Sequence, residues 1–319
     1  MKPIILLLGS SGQIGSELSA CLPAIGEVVA PVRDELDLLD LDKTRHFVRS
    51  LRPQIILNAA AYTAVDAAES ARDFAQVLNV RVPELLAEEA ANCRATLVHY
   101  STDYVFDGWK RTPYDESDAT NPLNVYGKTK LGGEEAIRQS GVSHLIFRTS
   151  WVYATHGKNF LRTILRLATQ REELTVVSDQ TGAPTRAKEI AEATTNILKA
   201  NLSSKYTATR FASVSGTYHM TAAGSTTWFD FASVIMEQAA NFSDLPWLAD
   251  ALEGRKIIAK RLVPVSFRSY GSPTPRPAFS LLSNRRLLET FGTQLPDWRV
   301  QLQQCFSQQS QVHSSFATP

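Results

Sequence analysis

A five-residue apolar run, "IILLL" (4–8), passes directly into "GSSGQIG", which sets Gly9, Gly12 and Gly15 at three-residue intervals before the first helical spacing. No other stretch constrains the chain as much. A strand that is apolar at every position, rather than at alternate ones, is buried on both faces, as inside a parallel sheet. A turn that reverses sharply and lets a ligand reach its N–H groups has little room for side chains, so glycines recur there. The alternation then repeats. "EVVAPV" (27–32), "QIILNAA" (54–60), "ATLVHYS" (95–101) and "SHLIFRTS" (143–150) read as strands, with helical spacing at 12–22, 40–51, 70–92 and 126–139. Asp40 or Asp42 can cap the second helix. The expected fold is α/β, a Rossmann-like doubly wound parallel sheet.

After residue 150 the pattern loosens. Helices are expected at 158–170, 186–200 and 227–240, with a strand at 174–178. Residues 201–213 read as an exposed loop. "SYGSPTPRPAF" (269–279) holds three prolines and is not expected to be helical. The Gln/Ser-rich end, 303–319, reads as disordered. At 319 residues the chain has room for about two domains of roughly 150 residues each. Residues 1–150, with return segments near 186–200 and 225–242, are expected to form a nucleotide-binding domain. A smaller α/β substrate-binding lobe would take about 151–185 and 213–300.

The net charge of +1 gives no global field toward nucleic acid or an anionic membrane. Cys21, Cys93 and Cys305 have no paired spacing, which argues against a disulfide framework or a zinc site and for a reducing compartment. The apolar run at 4–8 is too short for a signal peptide, and no segment approaches the ~20 apolar residues of a membrane span. The cytoplasm is the expected location.

In a nucleotide-binding fold of this kind, the glycine turn faces a pyrophosphate, helped by the partial positive charge of the helix N-terminus. By itself GxxGxxG is also an ordinary tight turn. Roughly twenty residues on, an acidic side chain suits the ribose of NAD, and a basic one the additional phosphate of NADP. "VRDELDLLD" offers Arg33 for the second task and Asp37 for the first. Asp37 and Asp40 could equally open a helix. The balance leans to NADP(H), with NADH left open.

Ligands of an open parallel sheet bind beyond the carboxyl ends of its strands. After strand three come the small residues Ala59 to Ala61, then the polar Thr63 and Asp66. After strand four come Ser101, Thr102 and Asp103. A hydroxyl there can polarise a substrate carbonyl toward hydride attack, although "STD" is also a common turn sequence. Tyr126 and Lys130 follow, one helical turn apart. A phenol with a pKa of about 10 is a weak acid–base catalyst at neutral pH, and a nearby lysine cation would lower it.

Together the glycine turn, the strand-four hydroxyl and YxxxK resemble the extended short-chain dehydrogenase/reductase superfamily. "NAAAYTAVDAAE", "STDYVFDG", "PLNVYGKTKLGGE", "FRTSWVY" and "VVSDQTGAPT" are similar, within it, to the dTDP-4-dehydrorhamnose reductase family. The likeness runs from residue 4 to about 190. It continues more faintly through 216–232, 273–283 and 295–298.

The resemblance implies reduction of a dTDP-4-dehydro sugar by NADPH or NADH, with Thr102, Tyr126 and Lys130 as the catalytic set. It implies Gly12, Gln13 and Ile14 at the pyrophosphate, Asp37 and Leu38 near the adenosine, and Ala61, Tyr62, Thr63 and Tyr100 along the cofactor. Thr102 and Asp103 would touch the sugar nucleotide and Trp151 the hexose, with Asn159, Gln180, Thr185 and Arg276 near the thymidine diphosphate. Some members form a magnesium-assisted dimer through glutamates. Which glutamates of this chain would correspond is not assigned, so Mg2+ and the choice between monomer and homodimer stay open. Related proteins include nucleotide-sugar epimerases and a non-catalytic regulatory subunit of methionine adenosyltransferase. Retention of Thr102, Tyr126 and Lys130 together favours catalysis.

Overall fold

The computed structural model describes residues 2–202, 211–242 and 245–307. Its frame is set by strands whose side chains are buried on both faces. These are Ile4–Leu8 (β1), Ile55–Asn58 (β3), Thr96–Thr102 (β4) and His144–Thr149 (β5), flanked at the edge by Glu27–Val29 (β2), which is exposed to half-buried. Every residue of β3 and β4 is buried. With the strand Gly216–His219 they form one six-stranded sheet, ordered Gly216–His219, β5, β4, β3, β1, β2, and every pairing is parallel.

Helices cover both faces. Gln13–Cys21 (α1) and Ala187–Leu202 (α8) place Leu18, Ile190 and Leu198 in one apolar layer with Ile5, Leu57 and Phe147. Leu41–Leu51 (α2), Val82–Cys93 (α5) and Val125–Gln139 (α6) supply Val48, Leu86 and Ile137 to the other. Asp40 caps α2 by accepting the Lys43 N–H at 2.9 Å.

A buried ion pair fixes α6 to the sheet. Glu134, 0% exposed, accepts from Arg148 of β5 at 2.9 and 2.7 Å and from Arg138 at 2.9 Å. Tyr126 and Lys130 are carried on that same helix.

The second lobe has its own core. Leu161 and Leu165 of Phe160–Ala168 (α7) meet Phe231 and Ile235 of Trp228–Asn241 (α9), and Trp298 and Phe306 of the helix Trp298–Ser307 complete it. Its strands are short pairs: Glu173–Val177 with Arg261–Val265, Thr181–Gly182 with Thr226–Thr227, and Val152–Tyr153 with Thr185–Arg186.

Several expectations change. The helix expected at 70–92 is a broken series, Val65–Ala68 (α3), Arg72–Gln76 (α4), a π-helical turn Val77–Arg81, then α5. The segment 225–242 was expected to return to the nucleotide domain, yet α9 buries its apolar face in the second core. Conversely, Gly216–His219, expected in the second lobe, pairs with β5 in the main sheet. Residues 303–307 are helical, with Cys305 and Phe306 1% exposed, so this part of the expected tail is ordered by core packing; 308–319 lie outside the described residues. Of the expected loop 201–213, Asn201 and Leu202 finish α8, Phe211 is buried, and 203–210 lie outside the described residues. Ser269 and Tyr270 end a one-turn helix, Phe267–Tyr270, ahead of the prolines.

Candidate active site

The glycine turn is built by contact as much as by conformation. Gly9 has φ +79°, and a Cβ there would lie 2.5 Å from the Ala60 nitrogen. A Cβ on Gly15 would come within 2.0 Å of the Gly9 carbonyl oxygen, so α1 can approach the turn only without one. Gly12 differs. It caps α1 with extended backbone and has only the Gly9 oxygen nearby, at 3.3 Å from a Cβ. Its smoothness serves the space in front of it.

Two cavities flank this turn and share Ser11 as a wall. One, of about 150 Å³, is lined by Gly9, Ser11, Arg33, Asp37, Leu38 and Phe74 among others. The larger, of about 530 Å³, runs past Gly12, Gln13, Ile14, Ala61 and Thr63 to Tyr100, Thr102, Asp103, Tyr126 and Lys130. Trp151, Asn159 and Trp228 close its far side. One cleft thus gathers residues from the ends of β1, β3, β4 and β5, from α6 and from the second lobe.

Within it Thr102 donates to Asp103 Oδ1 at 3.1 Å and accepts the Tyr104 N–H at 3.1 Å. Burial pushes Tyr126 up to about 12, with Thr102 opposing and Asp103 reinforcing the rise. The expected lowering of this phenol by Lys130 is absent. Lys130 Nζ is instead held by the Tyr100 carbonyl at 2.6 Å and His99 Nε2 at 3.1 Å. Burial lowers Lys130 to about 8, against Glu134, which favours its charge. Burial also raises Asp103 to about 7, although hydrogen bonds from Ser280 and Thr102 pull it down.

Trp151 has a left-handed backbone, φ +49°, and stacks on Trp228 at 3.5 Å between ring centroids, 7° from parallel. Asn159 caps α7 and donates to Gln13 Oε1 at 2.9 Å, so the glycine turn and the second lobe are bonded across the cleft. Ser16 and His156 make a second such link at 2.6 Å.

Other expected residues lie elsewhere. Thr185 is 0% exposed, its hydroxyl donating to Ala183 O and accepting the Ala222 N–H, both at 3.0 Å. Gln180 is buried, does not line the cleft, and leaves Nε2 without a partner. Arg276 pairs with Asp66 at 2.9 Å. Tyr62 donates its N–H to Asn79 and sets its ring against Phe74, while Ala61 and Thr63 on either side face the cleft. Tyr100 turns its phenol into the core, donating to Thr194, and contributes its carbonyl. Sequence reasoning missed Ser11, Val65, Tyr104, Lys158 and Trp228 as lining residues. Trp228 stood in a matching stretch, "GSTTWFDFA", and a tryptophan opening a helix after polar residues was its available signal.

A glycine turn on the first strand of a six-stranded parallel sheet, facing a cleft at the strands' carboxyl ends, defines a Rossmann-type α/β protein of the short-chain dehydrogenase/reductase kind. The model of the RmlD substrate binding domain family matches residues 1–311, and the chain belongs to that family. It is 45% identical over 301 residues to a dTDP-4-dehydrorhamnose reductase of Burkholderia thailandensis, covering 94% of this chain and 97% of that protein. It is 42% identical over 305 residues to the dTDP-4-dehydrorhamnose reductase of Escherichia coli K12, covering 93% and 94%. The crystal structure of a dTDP-4-dehydrorhamnose reductase from Bacillus anthracis in complex with NADP superposes with a TM-score of 0.81 at 33% identity, over 96% of this chain and 99% of that one. No helix among the described residues is long and apolar enough to cross a membrane.

Proposed function

We propose that this chain reduces dTDP-4-dehydro-L-rhamnose to dTDP-L-rhamnose at the expense of NADPH. The observation that carries the reading is the convergence of Thr102, Tyr126 and Lys130 in the cleft that begins at Gly12, opposite the stacked Trp151 and Trp228. The names of the relatives support it. Bound NADPH would supply the hydride that goes to C4 of the sugar.

The chain's own groups would handle position and the proton. Gly12, Gln13 and Ile14 would face the pyrophosphate, with Arg33, Asp37 and Leu38 around the adenosine end. Arg33 beside Asp37 suits a 2′-phosphate. Thr102 would hydrogen-bond the ketone oxygen, and Tyr126 would give that oxygen its proton as charge develops. A phenol held at about 12 stays protonated across neutral pH, the form a donor needs. Lys130 would hold the ribose and restore the tyrosine's proton. Trp151 and Trp228 would offer the apolar face on which a deoxysugar packs.

The main sheet with α1–α6 and α8 would then be the cofactor domain, and the second core the sugar-nucleotide lobe. Three free thiols suit a reducing cytoplasm. The test is loss of NADPH absorbance with enzymatically generated dTDP-4-dehydro-L-rhamnose, followed by identification of the product. Absence of oxidation with both NADPH and NADH overturns the proposal.

A further inference from the structure

Behind Lys130, away from the cleft, lies a buried hydrogen-bonded chain that the proposed mechanism does not use. Asn58 of β3 and His99 of β4 are 1% and 0% exposed, and neither lines the cleft. The direction of its bonds follows from its far end, where the Ala60 N–H can only donate. It donates to Asn58 Oδ1 at 3.1 Å, leaving Asn58 Nδ2 toward His99 Nδ1 at 3.2 Å. An amide nitrogen donates and does not accept, so Nδ1 is the acceptor and the single N–H of a neutral imidazole resides on Nε2. That nitrogen lies 3.1 Å from Lys130 Nζ.

An ammonium has three donors and no acceptor. Only the uncharged amine can receive the His99 N–H while donating to the Tyr100 carbonyl at 2.6 Å. The reverse polarity, an ammonium donating to Nε2, would put the imidazole N–H on Nδ1 against the Asn58 amide nitrogen. Turning the amide over would only move the clash to the Ala60 N–H.

We propose that His99 is a positioning residue: fixed as the Nε2–H tautomer by Asn58, it hydrogen-bonds the Lys130 amine, favours its uncharged form and makes Lys130 a ready proton source for the cleft. Lys130 enters turnover as the ammonium: as Tyr126 gives its proton to the sugar oxygen, a Lys130 N–H bond breaks, that proton passes across the cleft the two residues share to remake the tyrosine O–H bond, and the amine left behind accepts the His99 N–H. Solvent then returns the proton to Lys130. The surroundings agree. Burial holds Lys130 down at about 8, and burial also keeps His99 well below 6.5, so that the imidazole is neutral. The other groups facing Lys130 are Glu134 on its own helix, tied to Arg148 of β5 and to Arg138, and Tyr126 and Asp103 on the cleft side. His219, beyond Arg148, is buried and neutral, and β3 presents only the uncharged Asn58.

The use in catalysis rests on the reductase reading; the tautomer and its effect on Lys130 do not. Imidazole 15N NMR of the whole protein, with His99 assigned through His99→Gln, should show the Nε2–H tautomer at neutral pH. Lysine 13Cε NMR, with Lys130 assigned through Lys130→Met, reads its titration directly. In His99→Phe that titration should move up by about one pH unit, since one hydrogen bond to the neutral form is worth roughly tenfold in proton affinity. His99→Gln, which keeps an N–H within reach, should return it toward the original value, and the alkaline limb of kcat should follow. An Nδ1–H tautomer, or a Lys130 titration unmoved or lowered in His99→Phe, overturns the proposal; a kinetic limb that stays put while Lys130 shifts removes the proton-source role. Both NMR readings need no substrate, so a lack of reductase turnover would count against the proposed function alone.

Discussion

Replacing Gly182 by alanine should damage sugar-nucleotide turnover while sparing the cofactor. Gly182 lies in the short strand Thr181–Gly182, paired with Thr226–Thr227 just ahead of Trp228. Its φ is not positive, so alanine brings no backbone penalty and the effect is purely one of contact. The added Cβ would stand 2.5 Å from Trp151 Cε2 and 2.7 Å from Cζ2 and Nε1. Carbon atoms rest at about 3.5–4.0 Å, so the indole must retreat by about 1 Å. Its other face is already stacked on Trp228 at 3.5 Å, and Trp228 packs on Phe160 at 4.5 Å. Movement therefore opens the stack or drives the ring into the cleft.

Overpacking of this kind costs about 1–3 kcal/mol in stability, and a misplacement near 1 Å can cost on the order of 100-fold in rate. The expected result is a folded protein whose kcat/KM for the sugar nucleotide falls about 100-fold, with NADPH affinity unchanged. NADPH oxidation, fluorescence titration and urea denaturation measure the three quantities. An unreduced kcat/KM in folded protein would show that Trp151 does not shape the substrate site.

Further outcomes follow from the same geometry. Tyr126→Phe should lower kcat by about 10²–10⁴-fold, the usual worth of a general acid, while NADPH still binds; surviving turnover would remove Tyr126 as donor. Arg33→Ala should raise the KM for NADPH about tenfold or more and leave that for NADH alone, given about 1.5–3 kcal/mol for a charged hydrogen bond; equal effects on both would take Arg33 away from the 2′-phosphate. Arg148→Met should cost about 3–5 kcal/mol by stranding buried Glu134, with most of it recovered in the double variant Arg148→Met/Glu134→Met. Although burial pushes the Glu134 carboxyl up, Arg148, Ser101 and Arg138 together hold it below its ordinary 4.5. Its contribution is therefore present above that value and lost as pH falls through the lowered one. Urea midpoints should show this acid loss in the original protein and less of it in the double variant.

Strands β1, β3, β4 and β5 were legible because burial on both faces leaves a largely unbroken apolar signature, whereas the half-buried edge strand β2 offered only its Val28–Val29 pair. The sixth, "GTYH", has none. Its His219 is buried, with the backbone N–H donating to Glu116 at 2.7 Å and Nδ1 meeting the Tyr114 carbonyl at 3.1 Å. Helical spacing at 70–92 could not reveal a π turn, in which Asn79 leaves its row to bond the backbone of Tyr62. Amphipathic spacing showed that α9 has an apolar face but not which core receives it. At the site, strand ends located Thr102 and Asp103, and the helical period located Tyr126 and Lys130. Spacing says nothing of where a long side chain ends, so the attachment of Lys130 to Tyr100 and His99 was invisible. Thr185 illustrates the opposite error, a ligand-like hydroxyl engaged in holding two backbone segments together.

The bond between Gln13 and Asn159 makes the two halves of the molecule unsuited to independent exchange. Gln13 belongs to the turn that would receive the cofactor, and Asn159 caps the helix that opens the other lobe. A chimaera that takes its first 150 residues from one relative and the remainder from another would inherit the two sides of this bond from different parents. Such hybrids should retain their separate cores yet mismatch at the seam unless positions 13 and 159, together with 16 and 156, are transplanted as a set.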